Sequence, residues 1–468
     1  MKNLLKPLSL ALFVAATLPT QNACNQTSPS SNPPTQSAYI RTSPPSDTIP
    51  AIGPPSHFCK AIGGKNNDGG NSLIQTSDGG YAIAGATTSF GAGEADVYVV
   101  KLDAHGNLQW TKTIGGKKED VGTSLIQTSD GGYAIAGFTK SFGAGQLDVY
   151  VVKLDANGNL QWTKTIGGEN WEAGLSLIQT SDSGYAIAGY TKSFGAGEAD
   201  VYVVKLDAKG NLQWTKTIGG TKDDRGASLI QTSDGGYAIA GYITSFGAGG
   251  GDVYVVKLDA KGNLQWTKTI GGPADEIGFS LIQISDSGYA IAGYITSFGA
   301  GGGDVYVVKL DANGNLQWTK TIGGPGDEAG YSLIQTSDGG YAIAGATQSF
   351  GAGKKEDVYV VKLDANGNLL WTKTIGGEND DRGFSLIQNS DGGYAIAGTT
   401  SSFGAGEEDV YFIKLDKNGD ACCAVSQTSH VGSGGRLRSA TSSIGSGGTL
   451  TTPTPTTSSG GTLTNQCP

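Results

Sequence analysis

Histidine is scarce in this chain of 468 residues: only His57, His105 and His430 occur. None stands beside a partner at metal-ligand spacing, and no nucleophile elbow or Ser/His/Asp arrangement can be assembled from so few. Basic residues are in the minority, 32 against 42 acidic ones, for a net charge of -10 and a pI near 4.9. A nucleic-acid partner is therefore not expected, because phosphate binding needs a basic stripe that no part of the chain supplies. Helical spacing of apolar residues is missing over any useful length, so the expected class is all-β.

What the chain has in abundance is one repeated unit. The stretch DVYVVKLDAHGNLQWTKTIGG at 96–116 returns with small changes, and its Trp recurs at Trp110, Trp162, Trp214, Trp266, Trp318 and Trp371, in four steps of 52 residues and one of 53. The longer step comes from Lys354-Lys355-Glu356, where other copies have two residues before the Asp. A fixed period of this size signals a propeller, a solenoid or an array. The 76 Gly fall at fixed places in the unit and mark its turns.

Each unit offers four strand signals, in the first copy 71–77, 81–88, 96–103 and 107–114. An Asp78-Gly79 hairpin signal joins the first two, and a turn around Asp103 to Asn107 joins the last two. In the second strand Tyr81 and Ile83 alternate with Ala82 and Ala84, a large face opposite a small one, which suits a sheet packed between two neighbouring sheets. The third strand is apolar on both sides, as a strand buried on both faces requires. The fourth has a polar face and Lys112, and is expected to be the exposed outer edge.

YAIAG begins at Tyr81, Tyr133, Tyr185, Tyr237, Tyr289, Tyr341 and Tyr394, seven copies, yet only six carry a following Trp strand. The missing piece lies at the other end of the chain, where Phe58-Cys59-Lys60-Ala61-Ile62-Gly63-Gly64 aligns with Trp110 to Gly116. The N-terminal strand can complete the last unit and close a ring, which an open stack would not need. Residues 57–424 are therefore expected to form a seven-bladed β-propeller with four antiparallel strands per blade.

The recurring DVYVVKLDANGNLQWTKTIGG, preceded by SDGGYAIAG, resembles the Gly-rich bacterial β-propeller repeat family called SBBP over nearly all of 57–424. That resemblance implies a fold and an exported setting, not a reaction. The LDANGNLQW portion also resembles the tryptophan-docking segment of pyrroloquinoline quinone dehydrogenases, with a turn one residue shorter and none of that family's cofactor ligands.

At the N-terminus, Lys2 and Lys6 precede an apolar run at 8–18, too short to span a bilayer and laid out as a secretory signal over 1–23. Cys24 follows Ala23 and resembles the lipobox cysteine of bacterial lipoproteins, with Gln21 where Leu is usual; ordinary cleavage near Ala15-Ala16-Thr17 is the alternative. Residues 24–56, rich in Ser, Thr, Pro, Asn and Gln, read as a disordered tether, and 425–468 as a Ser/Gly/Thr-rich disordered tail in which SGGTLT occurs twice. The expected setting is the bacterial cell envelope, lipid-anchored or secreted. With Cys24 acylated, Cys59, Cys422, Cys423 and Cys467 remain for an oxidising compartment. Cys59 is expected to pair with Cys422 or Cys423, a vicinal Cys422-Cys423 bond being the rival.

Two acidic series mark one face of the ring. The first comprises Asp68, Asp120, Glu172, Asp224, Glu276, Glu328 and Asp381, read as residues of the loop between blades; the second comprises Asp96, Asp148, Asp200, Asp252, Asp304, Asp357 and Asp409, which start the third strands. Carboxylates in Gly-rich loops hold backbone N–H groups, and they could alternatively hold calcium, the single ion the pattern suggests. Beside the first series the copies diverge, at Val121, Trp171, Arg225, Ile277, Ala329 and Arg382, whereas the opposite turns scarcely change. Variation on one face is what a binding surface on a repeat scaffold predicts. The expected function is a non-catalytic scaffold for a protein or glycan ligand with no cofactor; the alternative is an extracytoplasmic lyase or hydrolase at the channel mouth.

Overall fold

The computed structural model describes residues 57–421 and seven short segments between 424 and 465. Cys24, Cys422, Cys423, Cys467 and the expected signal and tether lie outside the described residues. The described chain contains no helix; it is a closed ring of seven antiparallel sheets.

In blade 1 the strands run Asp68–Gln75, Tyr81–Thr87, Asp96–Leu102 and Leu108–Gly115, from the axis outward. Blades 2 to 6 repeat this order. Gly79 takes φ 79° in the first hairpin, where the Asp78 carboxylate accepts the Gly80 N–H at 3.0 Å. In two copies Ser183 and Ser287 take that left-handed conformation instead, at φ 64° and 66°.

The alternation of large and small residues along the second strand sets how blades meet. Ala82, Ala84, Val97 and Val99 of blade 1 form one cluster with Leu125, Tyr133, Ile135 and Tyr150 of blade 2, so a small face receives the large face of the next sheet. Seven such clusters occur, one per junction, including that between blades 7 and 1. Each fully buried Tyr, Ile or Val contributes roughly 1.5–3 kcal/mol to holding its junction.

Closure follows the route expected from sequence. Blade 7 has Asp381–Gln388, Tyr394–Thr400 and Asp409–Leu415, and its next strand is the N-terminal Phe58–Gly63, paired from Phe58↔Lys414 to Ile62↔Val410. Around the axis the ring is also sewn by hydroxyls. The Leu125 N–H donates to Ser72 Oγ of the preceding blade at 3.0 Å, and the same bond recurs at every junction to Leu73 N–H on Ser385 Oγ.

Two expectations need correction. The innermost strand starts at Asp68, three residues before the expected 71, because a bulge between Gly70 and Ser72 lets both halves pair with the second strand. And the fourth strand is not the outer edge. The segment expected to be a disordered tail contributes seven short strands, Ala424–Ser426, His430–Gly432, Arg436–Ser439, Ser443–Gly445, Thr449–Thr451, Thr456–Ser458 and Thr462–Asn465, each paired as a fifth strand on one blade.

Candidate binding face

Both acidic series lie at the same face, where innermost and third strands begin. Neither is presented to solvent: the first is 0–1% exposed and the second 1%. Asp120 opens its strand opposite Thr139, whose hydroxyl donates to it; its other oxygen accepts Gly116 N–H at 2.6 Å and Ser141 Oγ–H at 2.7 Å. Asp68, Glu172, Asp224, Glu276, Glu328 and Asp381 each accept the equivalent glycine N–H at 2.6–2.7 Å. In the second series Asp96 accepts Ala92 and Gly93 N–H groups at 2.8 and 3.1 Å, and Asp200, Asp252, Asp304, Asp357 and Asp409 accept the alanine N–H of their own loops while Asp148 accepts Gly145 N–H.

The two series meet in pairs, so desolvation is compounded by like charge. Burial, with Glu328 adding, pushes Asp304 up to about 6; burial, with Asp381 adding, pushes Asp357 up to about 7. Among the described residues no group of three or more His, Cys, Asp or Glu is placed to hold a metal ion. Each junction supplies two carboxylates, whereas calcium takes six to eight oxygens. These side chains hold loops through the N–H groups they accept.

The accessible chemistry of this face comes from their neighbours. Trp171 is 44% exposed; its indole N–H donates to Gln146 Oε1 at 2.6 Å and the Lys192 ammonium lies 5.5 Å from its ring. Arg225, second in its strand and opposite Tyr242, holds Asp223 through two bonds of 2.8 Å. Its guanidinium stands 4.5 Å from the Tyr190 ring and 5.8 Å from that of Tyr242, whose hydroxyl donates to Asp223 at 3.1 Å. Burial pushes the Tyr190 phenol up to about 12 against the opposing Arg225 charge. Arg382 pairs with Glu356 and lies 3.8 Å from Asp380.

Sequence reading missed two further variable columns. One is the residue opposite Arg225 and its equivalents: Ala86, Phe138, Tyr190, Tyr242, Tyr294, Ala346 and Thr399. The other is the bulge residue on the axial strand: Asn71, Thr123, Leu175, Ala227, Phe279, Tyr331 and Phe384. The bulge column makes the axis asymmetric. Phe279, Tyr331 and Phe384 pack ring against tilted ring with centroids 5.4 and 5.3 Å apart on one side, whereas Asn71 and Thr123 donate to the carbonyls of Gly122 and Gly174 on the other. Aligning the copies column by column would have exposed both.

The opposite face behaves differently. Gly158 of the second hairpin, at φ 78°, lies so close to the preceding blade's Trp110 that an added Cβ would stand 3.0 Å from the indole. A cleft of about 650 Å³ between blades 1 and 2 is lined by Trp110, Gln109 and Tyr133, but its charged pair, Lys101 and Asp78, is closed on itself at 2.9 Å.

No protein-family model matches the chain. The regulatory protein FlaEY of Caulobacter vibrioides is 27% identical over 226 residues, 43% of this chain and 23% of that protein, so the match spans under a quarter of that relative. Among solved structures, the Pan2 WD40 domain of Neurospora crassa aligns with a TM-score of 0.45 and 12% identity over 75% of this chain and 97% of that one. The NanB sialidase K499G mutant of Streptococcus pneumoniae aligns with a TM-score of 0.39 and 11% identity over 79% and 72% of the respective chains.

Proposed function

We propose that this protein is a non-catalytic binding propeller, exported and held at the cell envelope through Cys24, that takes a protein or glycan ligand at the channel mouth on the Asp/Glu-loop face. One observation carries this reading. The copies are nearly identical, yet their differences gather in the loops and first strand positions around that mouth, while Ala104 and its exposed equivalents to Ala365 are unchanged in six of seven hairpins. The residues gathered there, Trp171, Arg225, Tyr242 and Arg382, are of the types that dominate interface energetics.

The buried carboxylates Asp68, Asp120, Glu172, Asp224, Glu276, Glu328 and Asp381 support this face from beneath, so neutralising them disturbs loops before it touches a ligand. An extracytoplasmic hydrolase or lyase at the same mouth is the second reading. It draws on the convergence of Arg382, Glu356 and Asp380, groups already spent on one another.

The test is a pull-down and glycan-array screen with the chain from residue 24 onward. Trp171→Ala with Arg225→Ala is expected to lower binding at least ten-fold with an unchanged far-UV spectrum. Lys209→Ala on the opposite face is expected to leave binding unaltered, and equal loss in both variants would remove the face assignment.

A further inference from the structure

The C-terminal strands visit the blades in reverse order, one each. Ala424–Ser426 pairs on blade 6, and the next five pair on blades 5, 4, 3, 2 and 1. Thr462–Asn465 then pairs on the outer side of Phe58–Gly63 in blade 7. No blade is skipped and none is visited twice.

The pairing has a constant register. Val431 faces Ile322, Leu437 faces Ile270, Ile444 faces Ile218, Leu450 faces Ile166, Thr457 faces Ile114 and Leu463 faces Ile62. Blade 6 alone is offset by one, with Val425 opposite Thr374. The sequence carries the same count independently of the fold. HVGSGGRLR at 430, SIGSGGTLT at 443 and TTSSGGTLT at 456 form a 13-residue repeat, and each contains the strands of two successive blades. A repeat tuned to two blades is expected of a segment that follows the ring and is not expected of a spacer.

The partner side supplies the reason. Without a fifth strand, seven outer strands would each leave a row of N–H and C=O groups open, a template for pairing with any extended chain. A strand three or four residues long covers the C-terminal end of each row and leaves only a short new edge.

We propose that the outer rim of the propeller is a strand-accepting interaction surface and that the seven short strands between 424 and 465 of the same chain are its resident occupant, a belt that locks the ring. The lock acts where the ring closes: Phe58–Gly63 is held by Asp409–Leu415 on one side and by Thr462–Asn465 on the other. Release of the N-terminal strand, the step that opens a propeller, then requires the belt's last strand to leave first.

Hydrogen exchange on the full chain tests this directly. Amides of the seven belt strands and of Thr165, Thr217 and Thr269 on the outer strands are expected to exchange at least a hundred-fold more slowly than random coil. Random-coil exchange throughout 424–465 would overturn the proposal. A chain lacking 443–455, one repeat, leaves two blades without a belt strand and is expected to unfold on the order of ten-fold faster in guanidinium. In case that deletion misfolds, Leu450→Pro keeps the length and removes one donor at blade 2. Local loss of protection there supports the belt, and unchanged protection together with unchanged unfolding overturns it. Protection present only in a dimer on size-exclusion chromatography would show that a second copy supplies the strands, and would overturn the assignment to the same chain.

Discussion

Asp357 and Asp381 meet across Gly376: a Cβ on that glycine would stand 2.0 Å from Asp357 Oδ1 and 2.7 Å from Asp381 Oδ2. Neither Oδ1 has a hydrogen-bond partner, and both residues are 0–1% exposed. The folded chain therefore binds a proton at Asp357 more tightly than the unfolded chain does. A raised carboxyl contributes stability that is complete below its ordinary value near 4 and is lost as pH rises through about 7.

Asp357→Asn keeps the acceptor for Ala352 N–H and removes the charge. It is expected to match the parent at pH 4 and to exceed it at pH 8 by on the order of 1–3 kcal/mol, measured by chemical denaturation at both values. A difference that does not change between those pH values would sink the proton linkage.

Gly137→Ala tests the junction of first and second strands. The added Cβ would fall 1.8 Å from the carbonyl oxygen of Val121, a backbone atom that cannot swing aside. A loss of at least about 1–3 kcal/mol is expected, with a lowered denaturation midpoint. A neutral substitution would show that this paired backbone shifts freely.

The ring and its closing strand were legible because period, turn residues and the Tyr/Ala alternation of YAIAG all point the same way. The burial of Asp120 was not, because it depends on Thr139 and Ser141, roughly twenty residues away and visible only after the strands pair. The early start at Asp68 was hidden by Gly69 and Gly70, which carry no side-chain alternation. Strands as short as Thr449–Thr451 offer too few residues for a two-residue period to show. Of the face, Trp171, Arg225 and Arg382 were found because they interrupt the repeat within a loop-like stretch. Tyr242 and Phe279 were not, because they lie inside strands where apolar residues are expected anyway.

Trp214 is half-buried. Its ring lies 5.8 Å from that of Tyr237, and a Cβ on Gly262 would stand 3.0 Å from it. Trp214→Ala should therefore cost about 2–4 kcal/mol, at or below the usual range for a buried tryptophan. A cost under about 1 kcal/mol would mean that the indole does not anchor the next blade's hairpin.

Cys59 lies in the strand that closes the ring, opposite Ile413, fully buried and engaged rather than free. Ala421 packs against the cluster containing Cys59, and Cys422 and Cys423 follow it directly in sequence. One of these two is therefore expected to bond Cys59, and peptide mapping under non-reducing conditions identifies which. Recovery of Cys59 as an alkylated thiol would exclude the bond. The bond would join the N-terminal strand to the end of the last repeat, closing nearly the whole ring into one covalent loop, for which chain entropy sets an upper contribution of roughly 6 kcal/mol. Reduction should lower the melting temperature of the parent but not of Cys59→Ser, so that the loss on reduction is traced to this cysteine. Because the belt strand at Thr462–Asn465 holds the same N-terminal strand from outside, reduction in a chain that also lacks 462–465 should destabilise by more than the sum of the two changes.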